Sequence, residues 1–307
     1  MSSIDYRKRL PDLGFVPDSV EDRLAYIFLA PLMVFLIFIV WVPFLQGIWM
    51  SLHNWPLGFT APTFVGLENY SNLLTSERFY VSLKATVIYG FATVIQLGLA
   101  LTAALIVNKI KFKSLFSGMY LLPYTMPPVA TGTLWVFLLK PNLGPVFTLL
   151  TDWGILQNPI YWSTKGDMAL LVVTLVNAWT FWPFMFLILF ATLVSIPDEY
   201  YESARVYGAS RWQTFRHVTL PQLKTSIFVV VTLRLVWNLT KVSQPLQMTG
   251  GGPGYQTSPL SLLLYRSAFS DGNLGEAFAV GIIFLLLVLA FIVLFIRYFE
   301  KSEGDQL

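Results

Sequence analysis

The stretch from Asp198 to Pro221, DEYYESARVYGASRWQTFRHVTLP, decides the fold. It is charged and helix-forming, and long apolar runs flank it on both sides. Runs of about 20 apolar residues span a membrane, because in hydrocarbon a helix satisfies its own backbone polar groups. The charged stretch must then lie outside the membrane. It is too long and too helix-prone for a simple connector, so it reads as a built surface that meets a soluble partner. Ile196-Pro197 stops the run before it. Asp198 is the expected N-cap, with Glu199 and Glu202 in the first turns, where the helix dipole favours anions. A short helix is expected to about Tyr207, and Gly208 permits a left-handed turn. Ser210 then caps a second short helix from Arg211 to about Val218, which Leu220-Pro221 ends.

The rest of the 307-residue chain agrees with a membrane protein. Hydrophobic residues make up 55% and charged residues 12%, against about 25% charged in soluble domains. Six spans are expected, at about 24–50, 80–107, 115–139, 168–195, 223–246 and 276–297. Pro123, Pro127 and Pro128 should break or kink the third, and Pro183 the fourth. The first run starts behind a charged tail and is too long for a cleaved signal, so it is expected to be retained. Residues 1–23 and 298–307 are then tails around one permease-like domain, 24–297.

Basic residues set the orientation, since short cytoplasmic loops carry the excess of Lys and Arg. One side holds Arg7, Lys8, Arg9, Arg23, Lys109, Lys111, Lys113, Arg205, Arg211, Arg216, Lys224, Arg297 and Lys301. The other holds Arg78, Lys140, Lys165 and Arg266. Both termini and the 198–221 loop are therefore expected in the cytoplasm. The same asymmetry accounts for the net charge of +3 without nucleic acid. The chain has no cysteine, and His53 and His217 lack metal-ligand spacing. No metal site and no catalytic residue is expected.

With the loop in hand, a resemblance appears. Glu202, Ser203, Ala204, Gly208, Val218, Leu220 and Pro221 resemble the E-A-A … G … I-x-L-P pattern of the cytoplasmic EAA loop of ABC importer permeases. Ser203 departs from the usual Ala but keeps a small side chain. Thr249-Gly250-Gly251-Gly252-Pro253-Gly254, Phe64–Tyr70 (FVGLENY) and Leu121–Pro128 (LLPYTMPP) look like the sugar branch, of the maltose and glycerol-3-phosphate type. The resemblance implies an all-α, six-span permease subunit of an ATP-driven, binding-protein-dependent importer in a prokaryotic inner membrane, forming half of a sugar or oligosaccharide pathway. It implies a second homologous permease, two ATPase subunits that carry the ATP and Mg2+, and an extracytoplasmic solute-binding protein. No cofactor belongs to this chain. Docking to the ATPase falls on Glu202, Ser203, Ala204, Arg205, Gly208 and Arg211 as the coupling helix.

The residues themselves point to a substrate path. Ionisable groups inside a span are costly and are functional candidates. Arg234, Asn238, Lys241 and Pro245 follow one helix face, with Trp237 on the same side. On the fourth span Asn177 lies with Thr180 and Phe184, and Trp182 is nearby. A Trp beside hydrogen-bonding groups suits a sugar; the alternative is a buried structural network. Two cations on one face suit an acidic sugar or a glycerol-phosphate ester as cargo. The glycine run at 250–254 lacks P-loop order and reads as a turn. A secondary transporter fits less well, because the fourth and fifth spans carry no acid and the 198–221 loop would have no role.

Overall fold

The structure, a computed structural model, describes residues 20–58 and 60–304. Most of the N-terminal tail and the last three residues lie outside the described residues. The chain divides into two compact units between Trp49 and Met50.

The first unit is a helical rod. Helix α1 (Val20–Leu36) passes through a π turn at Ile37–Trp41 into α2 (Val42–Ser51). Ile27, Phe28, Phe38 and Trp41 are exposed, as a rod that meets lipid or another protein requires. The π turn has a local cause. Pro43 has no N–H to give and its ring crowds the carbonyl one turn back, so the ladder widens and Val42 N–H donates to Ile37, five residues earlier.

The second unit opens with a two-stranded antiparallel hairpin, β1 (His53–Asn54) and β2 (Thr63–Phe64), a small departure from an all-α chain. Helices α3 (Glu68–Thr75), α4 (Glu77–Val107), α5 (Lys113–Thr125), α6 (Pro128–Leu138), α7 (Pro145–Asp152) and α8 (Gly166–Ser195) follow. Then come α9 (Asp198–Val206), α10 (Arg211–Thr214), α11 (Leu220–Leu239), α12 (Ser243–Thr249), α13 (Leu260–Phe269) and α14 (Leu274–Gly304). The axis of this unit is the α4–α8 pair. Ala85, Ala92, Ala100, Ala103 and Ala104 of α4 are buried, and such small residues let helix backbones approach closely in a membrane. Two apolar clusters lie along the pair. One gathers Ala100, Ala104, Met185, Phe186, Leu189, Leu223 and Val230; the other gathers Ala85, Tyr89, Trp162, Val173 and Val176.

Five helical segments among the described residues are long and apolar enough to cross a membrane: Tyr26–Ser51, Glu77–Val107, Gly166–Ser195, Arg211–Leu239 and Leu274–Arg297. The third expected span is two helices, α5 and α6, each short of a crossing alone. They part at Met126 and Pro127, extended at ψ 135° and 138°. Each precedes a proline, and a following proline disfavours the helical basin.

The fifth expected span needs a larger correction. Helix α11 stops at Leu239, and α12 restarts at Ser243, so Lys241 and Pro245 do not continue one helical stripe with Arg234. Pro245 explains the break: it cannot bond the Lys241 carbonyl and would clash with it. That freed carbonyl accepts instead from the Ser261 hydroxyl at 2.7 Å.

Candidate functional site

Between the two apolar clusters, near the middle of both α4 and α8, lies a layer of polar side chains. Gln96 and Thr93 come from α4, Asn177 and Thr180 from α8, Arg234 and Asn238 from α11, and Gln244 from α12. Arg234 is 1% exposed, and Gln96, Asn177, Asn238 and Gln244 are fully buried. The hydrogen bonds run as a chain of donors. Arg234 Nε donates to Gln96 Oε1 at 3.2 Å, and Arg234 Nη2 to Asn238 Oδ1 at 2.7 Å. Asn238 Nδ2 donates to Thr93 Oγ1 at 2.9 Å and to Gln96 Oε1 at 3.0 Å. Gln96 Nε2 donates to Asn177 Oδ1 at 3.1 Å, Asn177 Nδ2 to Gln244 Oε1 at 3.1 Å, and Gln244 Nε2 to Thr180 Oγ1 at 3.0 Å. The chain ends where Thr180 Oγ1 donates to the Val176 carbonyl. Four helices are thus joined by side-chain bonds in the buried interior, where an unsatisfied polar group is costly.

No carboxylate pairs with Arg234 or Lys241 among the described residues. Phe181 takes that place. The Arg234 guanidinium carbon lies 4.7 Å and Lys241 Nζ 3.8 Å from its ring centroid, within cation–π range. Trp237 lies against Phe184 at 4.9 Å and leaves 39% of its surface exposed. Lys241 is half-buried.

Arg234, Asn238 and Asn177 are therefore brought together, with Lys241 and Trp237 at the margin of the layer. Trp182 is not. It packs against Tyr120 at 5.3 Å and Phe186 at 5.9 Å in the neighbouring apolar cluster. Gln96, Thr93, Gln244 and Phe181 are not among the residues singled out from the sequence. Gln96 carries a signal, as the sole amide in the apolar run 85–107.

The 198–221 loop folds as two helices around a glycine. Helix α9 begins with Asp198 as its first residue and Pro197 at the cap position, whose lack of an N–H suits a helix start; no side-chain bond from Asp198 caps it. Gly208 adopts φ +75°. Its N–H donates to Arg205 O at 3.0 Å and the Ala209 N–H to Ala204 O at 2.9 Å, the paired bonds of a Schellman turn that favours glycine. Ser210 caps α10 as expected, reciprocally with Gln213 at 3.3 and 2.7 Å.

Leu220-Pro221 does not end the second helix. A π turn at Phe215–Thr219 carries α10 into α11, with Leu220 N–H donating to Phe215 O, the same answer to a proline as at Pro43. The second half of the loop, from Arg211, is thereby one continuous helical body with the span that holds Arg234. Glu202, Ser203, Arg205, Gly208 and Arg211 are exposed and Ala204 is half-buried. Glu202 and Arg205 form an exposed ion pair at 3.8 Å. Val206, Tyr207 and Trp212, also missed from sequence, are 84%, 87% and 66% exposed. These three side chains leave apolar groups bare on both sides of a fixed turn.

The glycine run is a turn. Gly250, Gly251 and Gly254 have φ of 62°, 87° and 52°. Arg266 Nη1 closes it on the Gly250 carbonyl at 3.0 Å.

Comparison with known proteins gives the family and the fold. Residues 96–303 match the family model described as binding-protein-dependent transport system inner membrane component. The chain is similar to the probable ABC transporter permease protein YurN of Bacillus subtilis, 32% identical over 91% of this chain and 97% of that protein. It is also similar to the trehalose/maltose transport system permease protein MalF of Thermococcus litoralis, 30% identical over 90% of this chain and 94% of that protein. Its fold matches a chain of a bacterial ABC transporter involved in import of the acidic polysaccharide alginate. That match has a TM-score of 0.77 at 23% identity, covering 92% of this chain and 96% of that one.

Proposed function

The chain belongs to the family of binding-protein-dependent transport system inner membrane components, and from that premise we propose that it is the permease subunit of an ABC importer that moves a sugar or oligosaccharide. The observation that carries this reading is that the helix directly after the exposed turn at Gly208 runs unbroken from Arg211 into the span that holds Arg234 and Asn238. A force applied at the loop passes through the Gly208 turn into the helix that reaches the polar layer.

In this reading the chain crosses the membrane six times, with α5 and α6 together making the third crossing and both termini in the cytoplasm. Glu202, Ser203, Ala204, Arg205, Gly208 and Arg211, with the bare Tyr207 and Trp212 beside them, dock on an ATPase subunit. ATP and Mg2+ act on two such ATPase subunits. A second, homologous permease completes the pathway, and an extracytoplasmic solute-binding protein delivers the cargo. ATP closure moves the docked loops and turns the spans outward; hydrolysis returns them. This requires ATP to bind the two states with different affinity. Trp237 and Lys241, at the margin of the polar layer, present an aromatic face and a donor to the passing sugar. Arg234, Asn238 and Asn177 hold the helices that carry them.

A second cargo reading rests on the two cations that share Phe181 without a carboxylate partner among the described residues. An acidic sugar or a glycerol-phosphate ester would meet that charge. The test is ATP turnover by the reconstituted complex with its binding protein, across neutral oligosaccharides, uronate oligosaccharides and glycerol phosphates. Stimulation by a neutral sugar supports the first reading, and stimulation by acidic ligands alone the second. Turnover indifferent to every ligand contradicts both.

A further inference from the structure

The segment that joins α6 to α8 lies at the end of α8 opposite the 198–221 loop. Its composition is unlike that of a water-facing connector. Residues 141–164 hold one charge, Asp152, with Lys140 and Lys165 at the two edges. It is also a fixed element. Phe147 and Leu150 of α7 pack in the cluster of Tyr89, Trp162 and Val173, together with Trp135 and Leu139 at the end of α6. Trp162 Nε1 donates to the Leu139 carbonyl at 2.7 Å, and Asn142 Nδ2 to Tyr161 Oη at 2.9 Å, so the two ends of the segment are clamped together. Gly154, at φ +69°, turns the chain at the end of α7, and the Ile155 and Leu156 N–H groups both donate to the Leu150 carbonyl.

Helix α7 is two-sided. At about 3.6 residues per turn, Leu149, Trp153, Val146, Leu150 and Phe147 fall within an arc of about 160°, and Thr148 and Asp152 lie outside it. The Phe147 edge of that arc meets the protein. The other edge is bare: Leu149 is exposed, Trp153 is 69% exposed, and Ile155, just past the turn, is 63% exposed. The helices on either side carry the same kind of surface, with Phe137 of α6 and Met168 and Leu171 of α8 exposed.

We infer that α7 and the turn after it lie in the interface of the lipid bilayer, with Leu149, Trp153 and Ile155 sunk below the headgroups and Thr148 and Asp152 toward water. A helix with an apolar side that carries a Trp suits that boundary, where Trp concentrates. Its bare edge continues, along the chain, the apolar surface that α6 and α8 turn outward within the membrane. A water-soluble partner that came and went would leave Leu149, Trp153 and Ile155 in water between visits, which costs free energy in proportion to the apolar area exposed. The bilayer is always present at the end of a span. Because Phe147 packs with Trp135 and Val173, this foot ties the ends of α6 and α8 to one depth. The inference needs these two helices to lie in the membrane; it depends neither on the cargo nor on which membrane face this end meets.

The test begins with the unaltered full chain in vesicles of phosphatidylethanolamine and phosphatidylglycerol, exposed to hydroxyl radicals formed in the water on both sides. Trp153 and Trp212 are almost equally bare in the chain, at 69% and 66%, and lipid should cover Trp153 alone. Oxidation of Trp153 is expected to be several-fold slower than that of Trp212. A phospholipid with a photoreactive group beside its glycerol should cross-link within residues 145–155 in the same vesicles. Oxidation of Trp153 at the rate of Trp212 overturns the inference. So does protection of Trp153 without a lipid cross-link there, which would assign the surface to another polypeptide. Spin labels on Leu149→Cys, Asp152→Cys and Ile155→Cys then give the depth, with no native cysteine to compete. Labels at 149 and 155 should sit about 5–10 Å into the boundary between headgroups and chains and meet oxygen more than a water-soluble nickel chelate. The label at 152 should do the reverse. Free access of the chelate at 149 and 155 overturns the inference. No ATPase, binding protein or cargo enters these measurements, so failure of the importer reading would leave their outcome unchanged.

Discussion

Arg234 Nη2 donates to the Asn238 side-chain oxygen one turn further along the same helix, at 2.7 Å. Asn238 passes the bond on to Gln96 and Thr93 of a second helix. A buried guanidinium within an apolar helix is thereby held by neutral oxygens and an aromatic face. No carboxylate offsets its charge among the described residues. This arrangement makes the layer sensitive to loss of any one member, since each deletion leaves a buried donor or acceptor unpaired.

Gln96 is the most connected of these groups, and Gln96→Leu tests that. The substitution strips the acceptor from Arg234 Nε and Asn238 Nδ2 and the donor from Asn177. A loss of about 3 kcal/mol is expected, at the upper end for single substitutions. Thermal unfolding of the solubilised chain measures it. Stability within about 0.5 kcal/mol of the unaltered chain would show that water satisfies the layer instead.

A double-mutant cycle on Arg234→Met and Asn238→Leu should give a coupling of about 1–3 kcal/mol. Additive losses would mean that the two side chains act independently, contrary to their bond.

Gly208→Ala should cost about 1 kcal/mol locally, because φ +75° is strained for any residue with a Cβ although the space beside it is open. Membrane insertion should be unchanged. Uptake and binding-protein-stimulated ATP turnover should both fall, and Gly208→Asp or Glu202→Lys should abolish them. Persistence of both activities in all three variants would remove the loop from the docking role.

Trp212→Ser and Tyr207→Ser act on exposed groups, so stability should stay within about 0.5 kcal/mol. Copurification of the ATPase subunit should drop at least about tenfold, the effect of losing one aromatic anchor at an interface. Unaltered copurification would place the contact elsewhere on the loop.

Lys241→Ala should lower uptake more than assembly, and Lys241→Glu should lower uptake of acidic cargo more than of neutral cargo. Identical uptake kinetics for all three proteins would make Lys241 a structural residue.

Much of this was legible in the residues. The helix–glycine–helix loop followed from Gly208 and the Ser210 cap, and the interruption near Pro127-Pro128 from the prolines themselves. What failed has two physical causes. Helical periodicity was carried past Leu239, where Pro245 stops it and Ser261, far away in sequence, takes the freed carbonyl. Pro221 was taken as a terminator, whereas a π turn absorbs a proline without ending the helix. In the polar layer, charge drew attention to Arg234 and Lys241, while the amide that joins Arg234 and Asn238 to Asn177, Gln96, is neutral and lies on another span. Packing, not spacing, sets Trp182 apart from Asn177.

The central claim is that the 198–221 loop docks on an ATPase and passes motion to α11. The direct measurement is cross-linking from Tyr207→Cys, clean because the chain has no cysteine of its own, to single cysteines placed over the surface of the ATPase subunit in the assembled complex. The account predicts that links concentrate at one cleft of the ATPase, that thiol reagents reach Tyr207→Cys only from the cytoplasmic side, and that substitution of Gly208 weakens the links. Labelling from the outer side together with no link at any ATPase position would contradict it.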